Sequence, residues 1–77
     1  MINIESIKND IPNAGIMDTD KAKEQLMKFR GWKPYRKWCA MKIDTTSGSL
    51  WAFFDSPAKM KRYANKIGLA VFSSISF

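Results

Sequence analysis

The segment from Ser56 to Gly68 restricts the fold most, because its sequence marks both ends of a helix. Ser56 is a typical N-cap residue, and Pro57 suits the first helical position, where its missing N–H leaves no bond unmade. Gly68 can adopt the left-handed conformation that ends many helices. Apolar residues recur between them at helical spacing and predict one buried face. These residues are Met60, Tyr63, Ala64 and Ile67.

Strand patterns flank this helix on both sides. The apolar run Leu50–Phe54 precedes it, and Leu69–Phe77 follows it with alternating apolar and polar residues. This alternation predicts a strand with one buried side, which carries Val71, Ser73, Ile75 and Phe77. A further strand is predicted over Lys37–Ile43, and the loop Asp44–Ser49 has the composition of a hairpin connection in which Gly48 can take a positive φ.

A second helix is predicted over Thr19–Arg30. Asp18, Thr19 and Asp20 offer N-cap oxygens and negative charge at its start, and Gly31 suits the residue after its end. Its apolar stripe consists of Ala22, Leu26 and Phe29, spaced at i, i+4 and i+7.

Residues 1–17 fit two structures. Ile4, Ile7 and Ile11 would share one face of a short helix capped by Asn3, whereas alternation of Ile2 and Ile4 fits a short strand. We favour the helix. The stretch 12–15, which reads Pro-Asn-Ala-Gly, is predicted to end either element in a turn.

These elements predict an α+β fold in the order (α)-α-β-β-α-β. We expect a small antiparallel three-stranded sheet with two helices on one face, or three if the N-terminal segment is helical. Seventy-seven residues correspond to one domain, 1–77, in which residues 1–17 could be a loosely attached segment.

Composition excludes several classes of protein. Cys39 is the single cysteine and there is no histidine, so an intrachain disulfide is impossible, and a metal site or a catalytic triad lacks its usual ligands or base. No phosphate-binding glycine motif occurs, and we expect no cofactor. Cys39 is expected to be buried. No secretory signal is visible and the longest apolar run is Leu50–Phe54, which predicts a cytoplasmic protein without a membrane partner.

Charge is distributed unevenly along the chain. The formal net charge is +6, from 13 Lys and Arg against seven Asp and Glu. Residues 1–27 hold three lysines and five acids, a net charge of −2, whereas residues 28–77 hold ten bases and two acids, a net charge of +8. Such a concentration of positive charge attracts polyanions.

The segment Lys28–Lys42 combines six bases with four aromatic residues and contains no acid. Bases attract phosphates, and exposed aromatic rings stack on unpaired nucleobases. The candidate phosphate-binding residues are Lys28, Arg30, Lys33, Arg36 and Lys37. Trp32 and Tyr35 are the candidate stacking residues, although Trp32 could instead pack under the loop. Phe29 and Trp38 are expected in the core.

The helix after Ser56 adds a second group of cations. Lys59, Arg62 and Lys66 share one edge of that helix, and Lys61 lies on its far side. Lys59, Arg62 and Lys66 complete the predicted binding surface.

Three functions are compatible with these patterns. The leading hypothesis is a non-enzymatic module that binds RNA or DNA. The alternative is a cationic protein-binding inhibitor of the phage or plasmid type, directed at a host enzyme or nucleoprotein and anchored by apolar residues such as Trp51, Phe53 and Phe72. The third is a histidine-free ribonuclease, which would draw on Tyr35, Arg36, Arg62 and Tyr63. A homodimer is compatible with all three.

Overall fold

The protein has an α+β fold, shown by a computed structural model that describes residues 3–76. Within this range the elements are α1 (Ile4–Asp10), β1 (Gly15–Ile16), α2 (Thr19–Trp32), β2 (Cys39–Thr45), β3 (Gly48–Phe54), α3 (Pro57–Lys66) and β4 (Ser73–Ser76). The favoured N-terminal helix is confirmed as α1. Ile2, in the alternative strand, and Phe77, at the predicted end of the last strand, lie outside the described residues.

The sheet is antiparallel throughout, with strand order β1-β3-β2-β4. The prediction of three strands is wrong, because a fourth strand, β1, begins at Gly15, the last residue of the stretch predicted as a turn. Gly15 pairs with Trp51 there. The Asn13 side chain extends this pairing, since its Nδ2 donates to the Phe53 carbonyl at 3.1 Å and its Oδ1 accepts from the Phe53 N–H at 3.2 Å.

Helices cover both faces of the sheet, so the prediction of helices on one face is also wrong. β2 and β3 carry apolar side chains on both sides, and each side needs its own cover. One core lies between the sheet and α1 with α3, and it includes Met41, Leu50 and Phe54. The other core lies under α2 and includes Trp51 and Phe53.

The helix starts agree with the sequence. Side-chain oxygens of Asn3, Asp18 and Ser56 accept backbone N–H groups at the first turns of α1, α2 and α3. Gly68 follows α3 with a φ of +80°. The prediction for Gly31 is wrong, because α2 continues through it to Trp32.

The predicted faces of the two longer helices are confirmed. Ala22 and Leu26 of α2 are buried, and Phe29 packs against them. Met60, Tyr63 and Ala64 of α3 are likewise buried, with Ile67 packed at their edge.

Strand bounds differ from the predictions where loop contacts intervene. β2 begins at Cys39 rather than Lys37, because the Trp38 indole Nε1 donates to the Lys33 carbonyl at 3.1 Å and keeps residues 33–38 in a closed loop. The connection between β2 and β3 is shorter than the predicted loop Asp44–Ser49, because β2 ends at Thr45 and β3 begins at Gly48. Gly48 has the expected positive φ, at +121°.

The last strand is shorter than the alternation predicts. Residues 69–72 leave α3 in an irregular path that packs Leu69 and Phe72 against the core of α1 and α3. Val71 is 90% exposed, so its predicted place on a buried strand face is wrong.

The N-terminal segment packs on the sheet. Ile7 of α1 is 2% exposed, and the Tyr63 hydroxyl donates to Asp10 Oδ2 at 3.1 Å, which joins α1 to α3. Across residues 3–76, no helix has the length and apolar character needed to cross a bilayer.

Candidate functional site

Two chain connections bring cations together at one end of the sheet. α2 ends at Trp32 and is joined by residues 33–38 to the start of β2. Because Cys39 pairs with Phe54, the end of β3 and the start of α3 lie at this same end. We call this surface the basic end, and it comprises Arg30, Trp32, Lys33, Tyr35, Arg36, Lys37 and Lys59.

A groove of about 290 Å³ opens at the basic end. It is lined by Arg30, Pro34, Arg36, Lys37, Trp38, Pro57 and Ser76. Three cations therefore face one concave surface built from α2, the following loop, α3 and β4. Cations are the charged side chains of this lining, and a positive lining favours an anion.

Trp32 and Tyr35 project from the basic end. Trp32 is 66% exposed and Tyr35 is 74% exposed, so Trp32 does not pack under the loop. A cation accompanies each ring: Lys33 Nζ lies 4.4 Å from the Trp32 ring centroid, and the Arg36 guanidinium carbon lies 5.5 Å from the Tyr35 ring centroid. Each ring thus combines an accessible aromatic surface with adjacent positive charge.

Four aromatic rings connect this surface to the core. Phe29 lies 5.4 Å from Phe53 and is stacked on Trp38 at 4.7 Å between centroids. Trp32 lies 6.5 Å beyond Trp38. Trp38 is 8% exposed and Phe29 packs against the buried residues, which confirms the prediction that both belong to the core.

Asp55 is a part of the site that the sequence predictions missed. Its Oδ1 lies 2.9 Å from Lys59 Nζ, and its Oδ2 lies 4.0 Å from Arg36 Nε. The hydrogen bond from Lys59, with the nearby charges of Lys59 and Arg36, lowers the pKa of Asp55. Its position directly before the N-cap of α3 was the signal available in the sequence, because α3 supplies one of its cations.

The cations of α3 line a second groove. This groove, of about 260 Å³, has Ile11, Phe54 and Tyr63 as its apolar wall and Lys59, Arg62 and Lys66 around it. The shared edge predicted for the three cations is therefore present. Asp55 joins this row to the basic end, since it contacts both Arg36 and Lys59.

Carboxylates offset part of this charge. Lys66 Nζ lies 3.5 Å from Asp10 Oδ2, and Arg36 and Lys59 share Asp55. Within the described part of the chain, Lys28, Lys33, Lys37 and Arg62 form no ion pair. Lys28 lines neither groove, but it lies one helical turn before Trp32 on the same side of α2.

The opposite end of the sheet has a different charge pattern. The Met17 N–H donates to the Ser49 carbonyl at 3.1 Å, which places the start of α2 beside the β2–β3 turn. Asp18, Asp20 and Asp44 therefore gather there, interleaved with the lysines of the first turns of α2. Positive charge is in clear excess at the basic end and along α3.

The residue types for a ribonuclease do not share one groove. Arg36 lines the first groove, whereas Arg62 and Tyr63 line the second. Burial and the hydrogen bond to Asp10 raise the pKa of Tyr63 to about 12, so this phenol stays protonated at neutral pH. Cys39 is buried as predicted, and burial raises the pKa of its thiol.

The site thus offers cations, a concave surface and two accessible aromatic rings. These features act on a ligand through charge and stacking. No protein-family model, curated protein or solved structure matches this chain.

Proposed function

We propose that this chain is a non-enzymatic module that binds RNA or DNA through its basic end. The observation that carries the proposal is the convergence of Arg30, Arg36 and Lys37 on one groove beside exposed Trp32 and Tyr35. Cations neutralise phosphates and release their counterions, while aromatic rings stack on bases. A nucleic acid is the common polyanion that presents both groups together.

The α3 row extends the contact surface. Lys59 of the basic end also lines the second groove with Arg62, so a phosphate backbone could continue from the first groove to the second. We expect Lys66 to contribute less, because it already pairs with Asp10. Binding would take place in the cytoplasm and would show limited sequence specificity, since phosphate contacts carry no base information.

Binding is expected to weaken with salt in proportion to the phosphates contacted. For about four to six contacts, the plot of log affinity against log salt concentration has a slope of about −3 to −5. The Arg36→Ala/Lys37→Ala double variant should flatten this slope by about two units, one for each lost contact. Fluorescence anisotropy with labelled oligonucleotides across a salt series measures both values.

A double variant with the same change in net charge provides the control. Lys21→Ala/Lys23→Ala alters two exposed residues in the first turns of α2, away from the basic end. Its slope should equal that of the wild type within experimental error. Equal slopes for all three proteins would remove Arg36 and Lys37 from the site, and no binding at about 50 mM salt would overturn the proposed function.

The protein-binding alternative loses part of its basis. Trp51 and Phe53, expected as exposed anchors, are 2% and 3% exposed beneath α2, and Phe72 is half-buried. Trp32 and Tyr35 could anchor a protein instead, as aromatic residues often do at interfaces. A partner from lysate that stays bound after nuclease treatment, at one copy per chain, would favour this alternative.

A further inference from the structure

Four aromatic rings form a series that runs from the core to an open terminus at the basic end. Phe53, Phe29, Trp38 and Trp32 follow one another at centroid distances of 5.4, 4.7 and 6.5 Å. Phe53, at one end of the series, is 3% exposed, and Trp32, at the other end, is 66% exposed. The core therefore supports a ring that is itself open to ligand.

Trp32 is held in place before any ligand arrives. Its backbone belongs to the last turn of α2, and the following loop is fixed where the Trp38 indole donates to the Lys33 carbonyl. Lys33 Nζ additionally lies 4.4 Å from the ring centroid of Trp32. A ring ordered in advance loses little conformational entropy on binding, so more of the stacking free energy remains as affinity.

A planar heterocycle attached to a phosphate chain fits this arrangement. In a duplex, each base is covered on both faces by its neighbours and exposes only its edges in the grooves. In a single strand, bases can turn outward and stack on an aromatic residue. A duplex could reach the cations but not the face of Trp32.

We propose that the protein prefers single-stranded nucleic acid, with an unpaired base stacked on Trp32 at the open terminus of the ring series. This inference rests on the proposed nucleic-acid function and adds the strand type to it. Tyr35, 74% exposed with Arg36 beside it, offers a second ring for a neighbouring base.

Three probes separate stacking from charge. They are a labelled single strand of about 12 nucleotides, a blunt duplex of the same sequence and inorganic polyphosphate, which has charge but no bases. The wild type should bind the single strand more tightly than the duplex at equal salt. Trp32→Ala should lose about tenfold in affinity for the single strand. Its affinity for the duplex and polyphosphate, and its salt slope, should not change, because no charge is removed.

Two further variants test whether the face of the Trp32 ring accounts for the affinity for the single strand. Trp32→Phe keeps an aromatic face and should retain most of the affinity, whereas Trp32→Leu keeps apolar bulk and should behave like the alanine variant. Met27→Ala removes another exposed apolar side chain from α2, 53% exposed, and should bind like the wild type.

The outcomes distinguish the two proposals. Equal wild-type affinity for single strand and duplex, or a Trp32→Ala variant that binds all three probes like the wild type, would overturn the single-strand preference and leave the nucleic-acid function standing. Failure of both nucleic acids to bind at about 50 mM salt would overturn the function itself.

Discussion

At the scale of single residues, Asp55 places a carboxylate within the basic end. Its Oδ1 accepts a hydrogen bond from Lys59 Nζ at 2.9 Å, and its Oδ2 lies 4.0 Å from Arg36 Nε. Its pKa is lowered, so Asp55 is ionised at neutral pH. A phosphate approaching Arg36 or Lys59 therefore competes with Asp55 for the same cations. Asp55 limits how much positive charge the surface offers to a ligand.

Asp55→Asn should strengthen nucleic-acid binding. A carboxylate and a phosphate about 8 Å apart in water repel each other by about 0.5 kcal/mol, roughly a twofold change in affinity for each nearby phosphate. We expect a gain of about two- to fivefold and a steeper salt slope, because Arg36 and Lys59 become available. Anisotropy at about 50 mM and about 200 mM salt checks both effects.

Asp44→Asn is the matched control, since it makes the same change in charge at the opposite end of the sheet. Asp44 pairs there with Lys42 at 3.8 Å. The affinity of Asp44→Asn for nucleic acid should rise less than that of Asp55→Asn. Weaker binding by Asp55→Asn would mean that Asp55 positions Arg36 and Lys59 for the ligand.

Tyr63 links stability to pH. Its pKa is raised from 10.0 to about 12, so the folded protein keeps a proton that the unfolded chain releases. Its contribution is fully present below about pH 10 and is lost as pH rises through about 12. Tyr63→Phe should reduce the free energy of unfolding by about 1 kcal/mol at neutral pH, through loss of the bond to Asp10.

The difference between the wild type and Tyr63→Phe should shrink between about pH 9 and about pH 11. Urea denaturation of both proteins at each pH measures it. Tyr35→Phe alters an exposed tyrosine and should change the free energy of unfolding by less than about 0.5 kcal/mol at either pH. A constant difference would show that Tyr63 does not retain its proton through folding.

At the scale of elements, a glycine after an apolar helical pattern ends one helix of this protein but not the other. Gly31 and Gly68 both follow an apolar helical pattern, and both were predicted to end their helices. Gly68 does so with a φ of +80°, while Gly31 lies inside α2. The contact between Trp32 and Trp38 explains the difference, because it stabilises two more residues of α2 that the local sequence does not require.

Alanine at these two glycines should have opposite effects. A Cβ at either position meets no atom within 4 Å, so backbone conformation alone decides the outcome. Gly31→Ala should raise the free energy of unfolding by about 0.5–1 kcal/mol, because alanine favours a helix interior. Gly68→Ala should lower it by about 1 kcal/mol, because the left-handed conformation strains alanine. Urea denaturation measures both, and equal stability of Gly68→Ala and wild type would contradict the positive φ.

At the scale of the whole molecule, local signals predicted more than long-range ones. The starts of α1, α2 and α3 followed from caps within a few residues, and the buried faces of α2 and α3 followed from the spacing of their apolar residues. β1 could not be predicted, since Gly15 and Ile16, at the end of a predicted turn, become a strand only by pairing with Trp51 and Leu50. Periodicity likewise predicts that a helix face is buried, but not which side of the sheet buries it.

The residues of the candidate site likewise divide into those that the local sequence predicts and those that depend on the fold. The cations and rings of residues 28–37 are close in sequence, so their grouping was visible there. The contributions of Asp55, Pro57 and Ser76 depend on the return of β3, α3 and β4 to this end of the sheet. The pairing of Lys66 with Asp10, from the two ends of the chain, was equally hidden.

The cations at the basic end and the acids Asp18, Asp20 and Asp44 at the opposite end separate charge along the strands, which adds a dipole component with its positive pole at the loop between α2 and β2. In the field of a polyanion such a dipole experiences a torque, so the molecule rotates before it makes contact. Trp32 and Tyr35 project at that pole and therefore lead the approach. This alignment weakens as ionic strength rises, because screening shortens the distance over which the torque acts.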